Sequence, residues 1–411
     1  MARNMHLQHA YGKFAPIALV LLVIILLTSF SSVPSDPLSD NLKIHYKALA
    51  QEQLNNSGQG SGNITTIASF NASMGQLPEG VAIMDDSVFV GFAPLVQVAR
   101  LNENLTGGNT TSVLNQNHTT FTKVGSWPAI PQNGGFMLGL AFDRQGNLYA
   151  AIASQTPEVK SGVYRIGPDG GNATLFATHP MMQFPNGLVF NERGQLYISD
   201  SGAATIFLAQ PNGTVTEWLS HPLLRGNSSF CPNTPDLQIN VGANGIVLDK
   251  SKASLFVANS DRASILRVPI GPDDSAGETE VFVGPDCENL AGADGLVVDE
   301  MANDLIIAVN KLNKIVKVSI DDNRTISTVA SGGVLDFPAS LAIKKGIEDT
   351  VSSLGDFTQT DPGSNATEKD TTLYITNFAF PSAQQNLEAN PALLSMQLGN
   401  VSDLGHKPES R

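Results

Sequence analysis

An all-β chain folded as a six-bladed β-propeller is the architecture this sequence predicts, and three observations predict it. First, one unit recurs six times: a variable residue, then glycine (serine in the last copy), a four-residue apolar run, a polar turn and a second apolar run. Second, the units are spaced at about 45–60 residues, which suits a propeller blade and is long for a β-solenoid. Third, two further runs of four to six residues can be read within a unit, rich in β-branched side chains and parted by Gly, Asp, Asn and Pro turns. That is the pattern of an antiparallel meander. Six units of four strands are too many for one sandwich.

Taken from the N-terminus, the chain opens with a short head carrying Arg3 and Lys13. The charge-free run FAPIALVLLVIILLTSF follows at 14–30. Residues 1–32 therefore read as a signal peptide or as an N-terminal membrane anchor, and 33–62 as a polar linker. The propeller is expected over 63–400. Its copies begin with LPEGVAIMDDSVFVGF at Leu77, FMLGLAFDRQGNLYAAI at Phe136 and FPNGLVFNERGQLYISDSG at Phe184. GANGIVLDKSKASLFVANS at Gly242, GADGLVVDEMANDLIIAVN at Gly292 and FPASLAIKKGIED at Phe337 complete the set. The sixth copy has strands near 339–343, 372–376 and 392–396 but lacks a fourth. NITTIASF at 63–70 has the character to supply it, closing the ring in the last blade. A polar tail, 401–411, remains.

The composition bounds the partners. A net charge of −14 over 411 residues argues against nucleic acid, which needs a basic face, and suits cations. Twelve N-x-[ST] sequons, at Asn55, Asn63, Asn71, Asn104, Asn109, Asn117, Asn172, Asn212, Asn227, Asn323, Asn365 and Asn400, point to a glycosylated outer surface on an exported chain. The two cysteines, Cys231 and Cys287, are too few for a thiolate metal site and lie in no C-x-x-C. In an oxidising compartment they are expected to form one disulfide. The protein is expected to be extracellular or at the cell surface, a monomer, and in contact with membrane only through its N-terminal segment.

The pair Asn186-Gly187 resembles a hairpin turn, yet no strand precedes it. The true turn, NERGQ, comes after the apolar run. Asn186 therefore stands at the start of an innermost strand, and in a propeller all such starts gather around one mouth of the central channel. The six equivalent residues are Glu79, Leu138, Asn186, Asn244, Asp294 and Ala339. Four carry side-chain oxygens and none is His or Cys, which disfavours zinc and copper. Two carboxylates and two amides converging on one point suit Ca²⁺, a hard cation that takes loosely arranged oxygen ligands. Asn or Asp before Gly also starts strands for local backbone reasons, and polar channel mouths occur in propellers that only bind. A second ring is expected where the second strands end, at Asp200, Asn259, Asn310 and Asn377, with Phe92 and Ile152 in the other copies. It would support the first ring by hydrogen bonds or line the mouth.

Glu-Gly in the first copy, PNG in the third and DG in the fifth, each before apolar residues, resemble the senescence-marker-protein/gluconolactonase family over roughly residues 64–400. Asn244 in the fourth copy is similar to the calcium-dependent paraoxonases and phosphotriesterases. The resemblance implies a divalent cation held by Glu79, Asn186, Asn244 and Asp294, hydrolysis of lactones or related esters, and Asp294 as general base or nucleophile. Sugar-lactone hydrolases have polar substrate-binding residues in the second blade. Here Leu138 stands at that ring position, with Asn133 just upstream as a substitute. Phe136, Met137, Leu138 and the upstream THPMMQF would form an apolar rim, which favours a hydrophobic lactone or ester. His179, or His221, would be a candidate for a histidine of the paraoxonase kind. Cys231 and Cys287, in loops before adjacent copies, would shape the entrance. The alternatives are a non-catalytic binding propeller with a structural calcium and a strictosidine-synthase-like enzyme on the same scaffold.

Overall fold

The structure is a computed structural model that describes residues 64–102, 112–114, 120–131, 134–232, 234, 239–321, 323–345, 371–385 and 387–398. The N-terminal apolar segment, the linker and the C-terminal tail lie outside these residues. Among the described residues no helix is long and apolar enough to cross a membrane.

Six small antiparallel sheets form the six blades of a β-propeller. Blade 1 comprises Pro78–Met84, Ser87–Phe92, Gln97–Asn102 and Thr120–Lys123, and blade 2 Gly135–Phe142, Leu148–Ser154, Gly162–Gly167 and Gly170–Ala177. Blade 3 is Pro185–Phe190, Leu196–Asp200, Thr205–Ala209 and Val215–Ser220. Blade 4 is Ala243–Leu248, Ser254–Asn259, Ser264–Pro269 and Glu280–Val283; blade 5 is Ala293–Asp299, Asp304–Val309, Lys314–Ser319 and Ile326–Ser331. Blade 6 joins Pro338–Lys344, Thr371–Asn377 and Ala392–Leu398 to the N-terminal strand Thr65–Ser69. That strand pairs antiparallel with Ala392–Leu398, Thr65 opposite Ser395 and Ser69 opposite Ala392. The first and last of the described strands thus meet in one blade, and the edge of Ala392–Leu398 is covered. Blade 1 departs from the four-strand plan: Ser112–Leu114 pairs outside Thr120–Lys123 as a fifth strand.

The first hairpin of a blade is set by one side chain. Asp143, Asn191, Asp249 and Asp299 each end the apolar run, and each accepts bonds through Oδ1 from backbone N–H groups two to five residues on. A short polar side chain that caps its own turn reverses the chain where the apolar run stops. The core lies between neighbouring blades. Tyr197, Ile206 and Leu208 of blade 3, for example, pack on Ile246, Leu255 and Val257 of blade 4. Each buried aliphatic or aromatic side chain of this kind stabilises the fold by about 1.5–3 kcal/mol.

Contacts run from each innermost strand to the next and from the last back to the first, so the ring is closed. The recurring glycine explains how they approach so closely. A Cβ at Gly80, Gly139, Gly187, Gly245 or Gly295 would lie 2.2–2.7 Å from the carbonyl oxygen of Leu138, Asn186, Asn244, Asp294 or Ala339, respectively. Each glycine is therefore pressed on the ring residue of the following blade. Ser340 replaces glycine at the sixth joint, where Thr376 Oγ1 donates to Glu79 O at 2.7 Å and accepts from Ser340 N at 2.9 Å.

Cys231 and Cys287 form a disulfide between the loops that lead into blades 4 and 5. It is compatible with an extracellular location. All five described sequon asparagines (Asn71, Asn172, Asn212, Asn227 and Asn323) are exposed.

Candidate functional site

The sheet register shifts at the ring position of every innermost strand, between residues such as Pro185 and Leu188, Ala243 and Ile246, or Ala293 and Leu296. A bulge here re-aims the side chain out of the regular pleat. Glu79, Leu138, Asn186, Asn244, Asp294 and Ala339 succeed one another around the ring, all buried. The Asp294 charge acts on Glu79.

Both acids carry raised pKa values. Burial pushes Glu79 well above the ordinary carboxyl range, and the Asp294 charge pushes it further. Burial also lifts Asp294, to about 7, while hydrogen bonds from Asn310 and Asn244 pull it back. Two ionised carboxylates in such a place need a cation or a proton. Glu79 Oε2 and Asn244 Oδ1 are buried and have no protein partner.

The orientation of the amides follows from the blades beside them. Ser260 Oγ donates its proton to Ala293 O at 2.7 Å, so its oxygen is left to accept, and Asn244 Nδ2 donates to it at 2.9 Å. Blade 3 repeats this: Ser201 Oγ donates to Ala243 O at 2.7 Å, and Asn186 Nδ2 donates to Ser201 Oγ at 3.2 Å. In blade 5 Asn310 Nδ2 donates to Asp294 Oδ2 at 3.0 Å. Each amide nitrogen of the ring is thereby spent on a neighbour, and the amide oxygens remain the acceptors.

Sequence reasoning missed Ser201 and Ser260, and it placed Asn310 one step out of register. Across from the residue before the ring position stand Asp200, Asn259, Asn377, Phe92, Ile152 and, in blade 5, Val309. Asn310 belongs one residue later, with Ser201 and Ser260. The expected second ring accordingly divides in two. Asn310 supports the first ring. Asp200, Asn259 and Asn377 instead tie loops: Asp200 accepts from the N–H groups of Gln183, Phe184, Gly202 and Ala203. Asn259 donates to Leu223 O and Arg225 O, and Asn377 to Val334 O and Asn390 O. The missed signal was the hydroxyl residue directly after the polar strand end in SDSG and ANSD.

A buried ion pair was also missed. Lys311 Nζ lies 3.2 Å from Asp261 Oδ1, whose other oxygen accepts from Val241 N at 2.7 Å. It clamps blade 5 to blade 4 one residue away from both Asn310 and Ser260.

Leu138 occupies its expected ring position, buried between Glu79 and Asn186. Asn133 lies outside the described residues. His179 lies against Phe207 of the third strand of blade 3, its ring tilted and 5.1 Å away between ring centres, and its Nδ1 accepts from Met181 N at 3.3 Å. His221 Nδ1 accepts from Leu223 N and caps the turn Pro222–Leu224. These contacts hold both histidines in loop architecture and involve no ring residue.

The donor set is wholly oxygen. Among the described residues no three His, Cys, Asp or Glu side chains cluster, so any cation here needs the amides as well as the two acids. Two unpartnered acceptors beside two carboxylates fit a hard divalent cation. A separate cavity of about 420 Å³ lies between blades 1 and 2, lined by Asp85, Arg100, Phe142 and Arg144 among others, and includes no ring residue.

No family model matches the sequence, and no curated protein matches it. Among solved structures, a luciferin-regenerating enzyme is similar at 12% identity and a TM-score of 0.51, over 83% of this chain and 96% of that one. A virginiamycin B lyase from Staphylococcus aureus bound to quinupristin is similar at 14% identity, with a TM-score of 0.46 over 68% and 78%. A nidogen/laminin complex gives 13%, 0.45, 74% and 96%. At these identities the likeness is one of fold.

Proposed function

We propose that this propeller is an exported, metal-dependent hydrolase of lactones or related esters, of the senescence-marker-protein/gluconolactonase kind. Glu79, Asn186, Asn244 and Asp294 would hold the cation, Ca²⁺ by donor chemistry. The observation that carries the proposal is the set of acceptor oxygens in one tier, Glu79 Oε2 and Asn244 Oδ1 buried and unpartnered, with two acids that cannot both stay ionised alone. A bound divalent cation would polarise the substrate carbonyl and stabilise the developing oxyanion.

The protein's own groups supply the rest. Asp294 is the base or nucleophile, because its carboxylate stands in the ring and Asn310 Nδ2 fixes its Oδ2. Ser201 and Ser260 keep the amide oxygens of Asn186 and Asn244 free to accept. Leu138 and Ala339, both buried and apolar, flank Glu79 in the ring.

The test is an assay of purified protein on a panel of lactones and aryl esters, with and without chelator, alongside Asp294→Asn. Turnover abolished by chelator, restored by Ca²⁺ and lost in the variant is expected. Turnover indifferent to both would sink the mechanism. No turnover, with Ca²⁺ still raising the melting temperature, would make the protein a binding propeller with a structural ion.

A further inference from the structure

Phenylalanine recurs two residues before the ring position. Leu77, Phe136, Phe184, Gly242, Gly292 and Phe337 stand there in blades 1 to 6. Blades 6, 1, 2 and 3 thus carry large apolar side chains at this step, and blades 4 and 5 carry none. The aromatic residues are joined. Phe184 lies 6.4 Å from Phe136 between ring centres, Phe136 lies 5.8 Å edge-on to Phe380, Phe380 stacks on Phe378 at 5.2 Å, and Phe378 lies 6.3 Å from Phe337. Phe380 begins a short helix, Phe380–Gln384, in the last blade, so its contact with Phe136 spans blade 1. Met181, in the loop leading to Phe184, and Val334, in the loop leading to Phe337, are 50% and 39% exposed.

Four of the five rings are half-buried, Phe337 alone being fully covered. The arc adjoins Leu138 and Ala339 of the ring below. Asn244 and Asp294, with Ser260, Asn310 and the Lys311–Asp261 pair, occupy the facing side. The mouth is therefore two-sided, polar over blades 4 and 5 and aromatic over blades 6, 2 and 3, with the Phe136–Phe380 contact crossing blade 1, where Leu77 stands buried. The buried, unpartnered oxygens of Glu79 and Asn244 belong to the ring residues two positions further along these strands.

We infer that this arc is the subsite for the apolar body of the substrate, and that the substrate is a lactone or ester bearing an extended alkyl or aryl group. A hydroxylated sugar lactone is excluded as the preferred ligand. This rests on the hydrolase reading for the polar end of the molecule; the arc itself rests on the aromatic contacts. A hydroxylated ring against Phe136 and Phe380 would lose water from its hydroxyls without gaining hydrogen bonds. Methylene groups laid there gain by leaving water.

Two measurements test it. The first is kcat/KM along a series of γ-lactones from γ-butyrolactone to γ-dodecalactone, with D-glucono-δ-lactone for comparison. In the parent protein kcat/KM should rise about three- to fourfold for each methylene buried. Phe136→Leu should reduce that slope, and Phe380→Ala should flatten it. A flat series, or a preference for gluconolactone, overturns the inference while leaving the hydrolase reading intact. The second measurement is fluorescence binding of the uncharged probe N-phenyl-1-naphthylamine to chelator-treated protein. Binding displaced by γ-dodecalactone and weakened at least fivefold in both variants supports the subsite even if no lactone is hydrolysed. Binding that is absent, or indifferent to both variants, overturns it.

Discussion

Ser260 and Asn244 show how two short side chains settle the polarity of the ring. Because the serine proton goes to Ala293 O, the amide must turn its nitrogen to the serine and its oxygen away. Ser260→Ala removes one of the two acceptors that hold the amide nitrogen, the Asp294 carboxylate being the other, and loosens the amide. Calcium affinity, read by isothermal titration calorimetry, should fall about tenfold, as expected for about 1.4 kcal/mol from one lost hydrogen bond. An unchanged affinity would remove Ser260 from the site. Asp294 supports a second prediction. Its folded pKa is raised to about 7 by burial, so the metal-free fold binds a proton that the unfolded chain releases near pH 4. That stabilisation is complete below pH 4 and is lost as the pH rises through about 7. In chelator, the melting temperature relative to Asp294→Asn should therefore fall between pH 5 and pH 8, and excess Ca²⁺ should cancel the fall. A difference independent of pH would contradict the assignment. Neither serine was legible beforehand, since a lone Ser after a strand end has no chemistry of its own until the next blade's carbonyl is beside it.

The innermost strands carry the site because they are pressed together at glycine. At Gly245 an added Cβ would sit 2.2 Å from Asp294 O, nearer than any real contact allows. Gly245→Ala is expected to destabilise the protein by about 1–3 kcal/mol, the usual cost of overpacking, and to weaken calcium binding by displacing Asp294. Urea denaturation and calorimetric titration read the two effects separately. Unaltered stability would show that the strands are less tightly joined. Strand identity and order were readable from the repeated apolar runs and their Asp or Asn turns. Register was not. AVN at the end of Asp304–Val309 looks equivalent to the ends of YISD and FVAN, but the pairing of Ala293 with Val309 displaces Asn310 by one residue. The bulge at the ring position recurs in every blade and so does not set that offset; Asn310 stands 16 positions after Asp294, as Ser260 stands 16 after Asn244, whereas Asn259 stands 15 after it.

The molecule as a whole is a ring closed by blade 6, which unites Thr65–Ser69 with Ala392–Leu398, and stapled by the disulfide joining the loops into blades 4 and 5. The cysteines are separated by 56 positions, and on the chain-entropy account their bond stabilises the fold by roughly 4 kcal/mol. Replacing both by serine should lower the urea midpoint accordingly and leave the six-bladed fold in place by circular dichroism. A midpoint that does not move would mean that the loops are held without it. The repeat, the six ring residues, the borrowed strand and the pairing of the cysteines could all be read from the chain alone, because each follows from periodicity, from the counting of strands or from the presence of just two thiols. The hydroxyls that orient the amides, the ion pair of Lys311 with Asp261, and the arc from Phe184 to Phe337 could not. Their partners lie in other blades, some of them hundreds of residues away, and closure of the ring is what brings them together.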